Sequence, residues 1–221
     1  MAVPPMQNSS RALTIWLACL VAAMALVLAG NLLMARHGNR TRDARPETYI
    51  AEAERLMNRE DFPGAFAAWH KAYERGPESP LVHKVLGDLH HRLGDWEEAA
   101  AAYEKALAVG SDSTGVRLNL LVCCLERERY DELARRGRTF MDEGFDDPFF
   151  PRYIAEAHFR LKRFKEAIPY VNWALEGFQN DLYLLSQLEQ CYRAIGDTEE
   201  AQAISKKIAE VQRTVQSFRE G

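Results

Sequence analysis

One interval governs this chain. Ala65, Ala99, Leu133, Ala167 and Ala201 recur at one constant spacing, with no insertion between them. A constant period over five units is hard to obtain by chance, and a unit of that length is one supersecondary element that hides its apolar side only against its neighbours. The clearest unit is Pro80 to Ser113, PLVHKVLGDLHHRLGDWEEAAAAYEKALAVGSDS. Leu86-Gly87 precedes a break at Gly94-Asp95, and Ala99, Tyr103 and Ala106 follow it. An apolar or small residue at every helical turn, a break and a second such run describe two helices. Gly87, Ala99 and Ala106 let the helices approach closely, while Leu86, Trp96, Tyr103 and Leu107 fill the space between them. The units begin at Pro46, Pro80, Thr114, Pro148 and Leu182 and cover 46–215.

The Leu86-Gly87 pair and the Ala99-x3-Tyr103 pattern resemble the tetratricopeptide repeat, whose period is the same. His83 and His90 stand where that family prefers Trp and Tyr. The resemblance implies an all-α fold, a right-handed α-solenoid of about five helix hairpins. It also implies that the first helix of each hairpin lines a groove through repeat positions 2, 5, 9, 12 and 13. Carried onto this chain, the first unit offers Glu47, Ile50, Glu54 and Met57; the second offers Leu81, Lys84, Asp88, His91 and Arg92. The third offers Leu118, Val122, Leu125 and Glu126; the fourth, Phe149, Arg152, Glu156, Phe159 and Arg160; the fifth, Tyr183, Ser186, Gln190 and Arg193.

The groove is therefore expected to have an apolar middle, Leu118, Val122 and Leu125 with Phe159 nearby, inside a ring of charges of both signs. That suits a peptide or helix with a few apolar anchors, its carboxylates held by Lys84, Arg92, Arg152, Arg160 or Arg193. The alternatives are a groove filled by the protein's own chain, or charges that are merely solvated. Family members that clamp chaperone carboxyl termini use Lys and Asn at positions 5 and 9. Here those pairs are Ile50/Glu54, Lys84/Asp88, Leu118/Val122 and Arg152/Glu156, so no such clamp is expected.

The third unit departs most from the pattern. Leu121 replaces the small residue of its first helix, Gly137 the aromatic of its second and Phe140 an alanine. Its first helix, Val116 to Glu126, is so apolar that some side chains must meet a neighbour or a partner. In the fourth unit Pro169 removes a backbone donor and is expected to bend or loosen the turn from Phe164 to Ile168. At the carboxyl end Ala201, Ile204, Ile208, Val211, Val215 and Phe218 alternate by three and four. That run reads as a capping helix ending in 216–221, with self-association as the alternative.

Residues 12–35, which follow a short tail at 1–11, are almost uninterruptedly apolar or small. A helix of that length spans about 36 Å, enough to cross a bilayer core. A single-pass membrane helix is expected, followed by a polar linker at 36–45. The alternative is a cleaved signal peptide, whose apolar region is shorter, about 7–15 residues. Cys19 faintly suggests a lipoprotein site, but too little apolar sequence precedes it. Arg36, Arg40, Arg42 and Arg45 against Arg11 alone favour the repeat array on the cytoplasmic side; a periplasmic array is the alternative.

Signals for chemistry are sparse. A net charge of −4 argues against a nucleic-acid binder. Cys19, Cys123, Cys124 and Cys191 have neither zinc nor disulfide spacing, and His83 and His90, on one helix face, have no third ligand at a convincing spacing. No phosphate loop or nucleophile elbow is present. The expectation is a membrane-tethered adaptor or scaffold that binds a protein partner, with no enzymatic activity, cofactor or metal. A self-associating subunit of a membrane assembly, using the third unit and the carboxyl-terminal helix, is the first alternative. A metal- or thiol-dependent enzyme is the second.

Overall fold

The computed structural model describes residues 45–220. The apolar stretch 12–35, with the tail before it and nearly all of the linker after it, lies outside these residues. Among the described residues there are ten helices and no strand, and no helix is long and apolar enough to cross a membrane. The first hairpin is α1 (Pro46–Met57) with α2 (Phe62–Tyr73), and the second is α3 (Pro80–Leu93) with α4 (Trp96–Ala108). The third is α5 (Thr114–Glu126) with α6 (Tyr130–Asp142), and the fourth is α7 (Phe149–Arg160) with α8 (Phe164–Gly177). The fifth is α9 (Leu182–Ile195) with α10 (Thr198–Glu220). Each helix packs on the next in chain order, which makes an all-α solenoid.

The period is written into the backbone as well as the side chains. The turn between the helices of each hairpin passes through a left-handed residue: Glu60 (φ 61°), Gly94 (79°), Glu128 (55°), Lys162 (57°) and Gly196 (84°). These five positions are separated by the same interval as the alanines. Only two are glycine, so at the other three the array holds a conformation that costs an L-residue about 1–2 kcal/mol.

Helix starts are capped in more than one way. Asp61 accepts from the Gly64 amide at 3.0 Å, and Asp181 accepts from those of Tyr183 and Leu184 at 2.9 and 3.1 Å. Ser79, before α3, caps without its side chain. Its backbone carbonyl takes the Val82 and His83 amides, and its hydroxyl makes no cap bond. Pro148 is the residue before α7 rather than its first, and Asp147 accepts from the Phe149 amide at 2.9 Å. Helix α8 continues through Pro169 from Phe164 to Gly177, because one lost donor is outweighed by Ala167, Val171 and Ala174 buried on the packed face.

The core forms three clusters. Ile50, Ala53, Ala65 and Leu89 belong to the one at the amino end. Tyr103, Leu120, Leu121, Leu133, Phe150 and Ile154 belong to the middle one, and Val171, Leu184 and Leu188 to the carboxyl-terminal one. The apolar surplus of α5 is absorbed here: Val116, Leu120, Leu121, Cys123 and Cys124 are fully buried between the second and fourth hairpins. Helix α10 buries Ala201 and half-buries Ile204, then extends past the array, where Val215 is 43% exposed.

Candidate functional site

Successive first helices lie side by side and carry two depressions along one surface. One, of about 300 Å³, runs from α1 across α3 to α5 and is lined by Glu54, Met57, Asp88, His91, Arg92 and Asn119. The other, of about 430 Å³, runs from α5 across α7 to α9 and is lined by Leu125, Phe149, Arg152, Tyr153, Arg160 and Tyr183, with Glu156 at its floor.

Each depression is built around a carboxylate on the middle helix. Asp88 receives the Lys84 ammonium at 2.6 Å, the Tyr103 hydroxyl at 2.8 Å and the Asn119 amide at 3.4 Å. Glu156, buried, receives Arg160 Nε at 2.6 Å, the Tyr183 hydroxyl at 2.5 Å and Gln187 Nε2 at 2.8 Å. The arrangement repeats with a shift of two units: Arg152 stands where Lys84 does, Glu156 where Asp88 does and Gln187 where Asn119 does. In both, an acid on one first helix is tied to an amide on the next. The tie fixes the relative setting of neighbouring hairpins, because a buried carboxylate must keep its donors.

These contacts shift the protonation of the site. Burial pushes the Tyr183 hydroxyl up to about 12, and its bond to Glu156 adds to the effect. Burial works against the Asp181 carboxylate, but the Leu184 amide and Arg152, at 2.6 Å, outweigh it and hold its pKa below the usual value. Glu156 raises the already high pKa of Arg160. The Asp181 carboxylate and the Arg160 guanidinium are thus charged at neutral pH.

The ten candidate residues have different settings. His91 and Arg92 line the first depression, and Arg92 donates to Asn58 at 3.1 Å. The His91 ring meets Trp96 edge-on at 5.1 Å. Lys84 is engaged by Asp88. Leu125, Arg152 and Arg160 line the second depression, where the Arg160 side chain is 52% exposed. Leu118 and Leu125 both lean on the middle core cluster, and Val122 is half-buried between the two depressions. Phe159 packs edge-on against Phe164 at 5.7 Å, within its own hairpin, and Arg193 pairs with Glu189 at 2.8 Å at the exposed edge. The most exposed apolar groups of this surface are Leu81 (49%), Phe149 (40%) and Tyr183 (51%), one at the second position of each of three units. The signal that could have found Asn119 and Gln187 is their common spacing from Asp88 and Glu156.

The thiols are set for packing. Burial lifts Cys123 to about 12 and Cys124 and Cys191 to about 11, so none is a thiolate at neutral pH. His83 Nε2 lies 2.8 Å from the Pro77 carbonyl and His90 Nδ1 lies 3.3 Å from Asp95. Among the described residues no group of three potential ligands could hold a metal ion.

Comparison with known proteins fits this architecture. The family model of the tetratricopeptide repeat matches residues 50–115 and 92–134. A crystal structure of MamA superposes with a TM-score of 0.71 at 14% identity, over 78% of this chain and 94% of that one. YrrB, described as a tetratricopeptide repeat protein with an unusual peptide-binding site, gives 0.68 at 18% identity, over 82% of this chain and 92% of that one. MamA from Desulfovibrio magneticus RS-1, residue 41 to its end, gives 0.68 at 14% identity, over 76% and 96%. At these identities the likeness establishes the fold alone. No curated protein matches the sequence.

Proposed function

We infer the role of this chain from its membership of the tetratricopeptide repeat family: it is a protein-interaction adaptor that receives a peptide or helix of a partner along its first helices. The observation that carries this is the pair of exposed side chains Phe149 and Tyr183, which line the second depression with Arg152 and Arg160. Apolar groups left in water next to cations suit a segment with hydrophobic anchors and carboxylates. That YrrB is described as binding peptide supports the reading for a shared fold. The proposal includes a single-pass anchor at 12–35 with the array on the cytoplasmic side, resting on the arginine asymmetry around that stretch. It gives the protein no enzymatic role, in keeping with thiols that burial keeps protonated.

The test is affinity capture from detergent-solubilised membranes with the native chain and with the double variant Arg152→Glu, Arg160→Glu. Partner recovery should fall at least about tenfold, as expected for losing charge-assisted bonds, while the helical circular dichroism is unchanged. Equal recovery removes the groove. A reporter fused to the carboxyl end reads out sidedness; activity only on the outer side reverses the orientation.

A second reading, self-association within a membrane assembly, is favoured by one feature. Val211 and Val215 of α10 border, with Asn180 of the loop before α9, a depression of about 410 Å³ at the carboxyl end of the array. Val215→Asp should then dissociate an oligomer seen by sedimentation. A native chain monomeric at all concentrations removes this reading.

A further inference from the structure

The face opposite the groove carries a cationic cleft that the adaptor role does not use. It is bounded by α6 and the start of α8, holds about 220 Å³ and has His158 of α7 at its floor. His158 is 5% exposed, its ring stacks on Tyr170 at 5.7 Å, and neither ring nitrogen has a hydrogen-bond partner among the described residues. Arg135 and Arg138 of α6 and Arg163 line the walls. Asp131 holds Arg163 at 2.7 Å, whereas no hydrogen bond or ion pair within the described residues engages the guanidinium of Arg135 or Arg138. A buried polar ring with two unpartnered nitrogens needs a partner, because it has given up water without gaining a hydrogen bond.

The repeat supplies an internal control. His90 occupies the place equivalent to His158 two units earlier. There Asp95 sits 3.3 Å from the ring, and Phe66 covers it edge-on at 5.4 Å. Around His158, Arg163 stands in place of Asp95, Ala134 of the third unit in place of Phe66 and Arg138 in place of His70. Three substitutions in one layer exchange an anion for a cation, open the space above the ring and add a second cation at its rim. The ring that a carboxylate satisfies in one unit is left without a partner in the other.

We propose that this cleft is an oxyanion site that takes a phosphoryl group, either free orthophosphate or a phosphorylated side chain of a protein partner. Two unengaged guanidiniums supply the paired donors that a phosphate oxygen set requires, and His158 donates from below. Asp131 and Asp142 also line the cleft, and their charge keeps a bound anion on the guanidiniums.

Protonation is linked to occupancy. Burial, then Arg138 and Arg163, lower the His158 pKa, and Glu166 and Asp131 only partly oppose them. A bound dianion reverses that balance. Binding therefore raises the His158 pKa and takes up a proton at a pH between the two values.

The experiment uses the full chain in detergent, with the His158 ring followed by nitrogen-15 NMR. Orthophosphate and a short phosphoserine peptide are titrated separately. Saturable movement of the His158 signals with either ligand, and a higher His158 pKa in the bound state, is the expected result. Equal affinities assign a free anion, and at least about tenfold tighter binding of the peptide assigns a partner's side chain. Arg138→Gln and Arg135→Gln, both at exposed positions, should each weaken binding roughly tenfold. The groove variant Arg152→Glu, Arg160→Glu should bind phosphate as the native chain does, which separates this site from the adaptor reading. Unmoved His158 signals with both ligands, or full affinity in the Arg135, Arg138 double variant, overturns the proposal.

Discussion

The second and third hairpins solve one packing problem with opposite parts. In the second, Gly87 of α3 faces Tyr103 of α4; in the third, Leu121 of α5 stands in the glycine's place and Gly137 of α6 in the tyrosine's. A Cβ at Gly87 would fall 2.5 Å from a Tyr103 ring carbon, and one at Gly137 would fall 2.7 Å from Ile154 Cγ1. Tyr103 and Leu121 are both fully buried. What the repeat holds constant is therefore filled volume, not which helix provides it. The exchange has a second effect. Tyr103 brings a hydroxyl that Asp88 and Asn119 share, so the second hairpin is tied to the third by a polar contact. The third hairpin meets the fourth through Leu121, Gly137, Phe150 and Ile154, an apolar joint in the largest cluster.

The comparison is broken most severely by removing the filler from the apolar joint. Leu121→Ala should cost about 3 kcal/mol in urea unfolding, since nothing on the Gly137 side can expand into the space. Gly87→Ala should come next, at about 2 kcal/mol, because its Cβ meets the side of a ring held at its far end by Asp88. Tyr103→Phe keeps the volume and removes only the hydroxyl. It should cost about 1 kcal/mol, with Asp88 still held by Lys84 and Asn119. If Leu121→Ala costs no more than Tyr103→Phe, the third hairpin is not sealed by volume.

The fold was legible in the sequence because a period needs no knowledge of contacts. Ala65, Ala99 and Ala167, spaced by the repeat, are all fully buried. The left-handed turns were half legible: Gly94 and Gly196 announce theirs, but Glu60, Glu128 and Lys162 look like ordinary helix formers, and only neighbouring hairpins impose their conformation. The groove was legible as a surface and not as a site. Side-chain direction follows helical register, so His91, Arg92, Leu125, Arg152 and Arg160 come to line the two depressions. Which of these are already engaged depends on partners elsewhere in the chain. Phe159 meets Phe164, and Lys84 meets Asp88. The cleft at His158 was hidden for the same reason, because an unsatisfied ring is visible only when all its neighbours are placed.

The smallest expected effect sharpens the comparison best. Gly137→Ala, like Gly87→Ala, replaces a glycine inside a helix, a change worth up to about 1 kcal/mol in favour of alanine. That gain is common to both variants and cancels in their difference, so the difference reports the neighbours alone. At Gly87 the neighbour is an aromatic ring, flat, fully buried and hydrogen-bonded through its hydroxyl. At Gly137 it is one aliphatic branch of Ile154, with no hydrogen bond to hold it, its Cγ1 at 2.7 Å and its Cδ1 at 3.1 Å, and Leu121 is in ordinary contact at 3.7 Å. Gly137→Ala should therefore be destabilising by less than about 1 kcal/mol, at least about 1 kcal/mol milder than Gly87→Ala. Equal costs would mean that the ring at Tyr103 yields as freely as an aliphatic branch, and that its bond to Asp88 does not hold it in place.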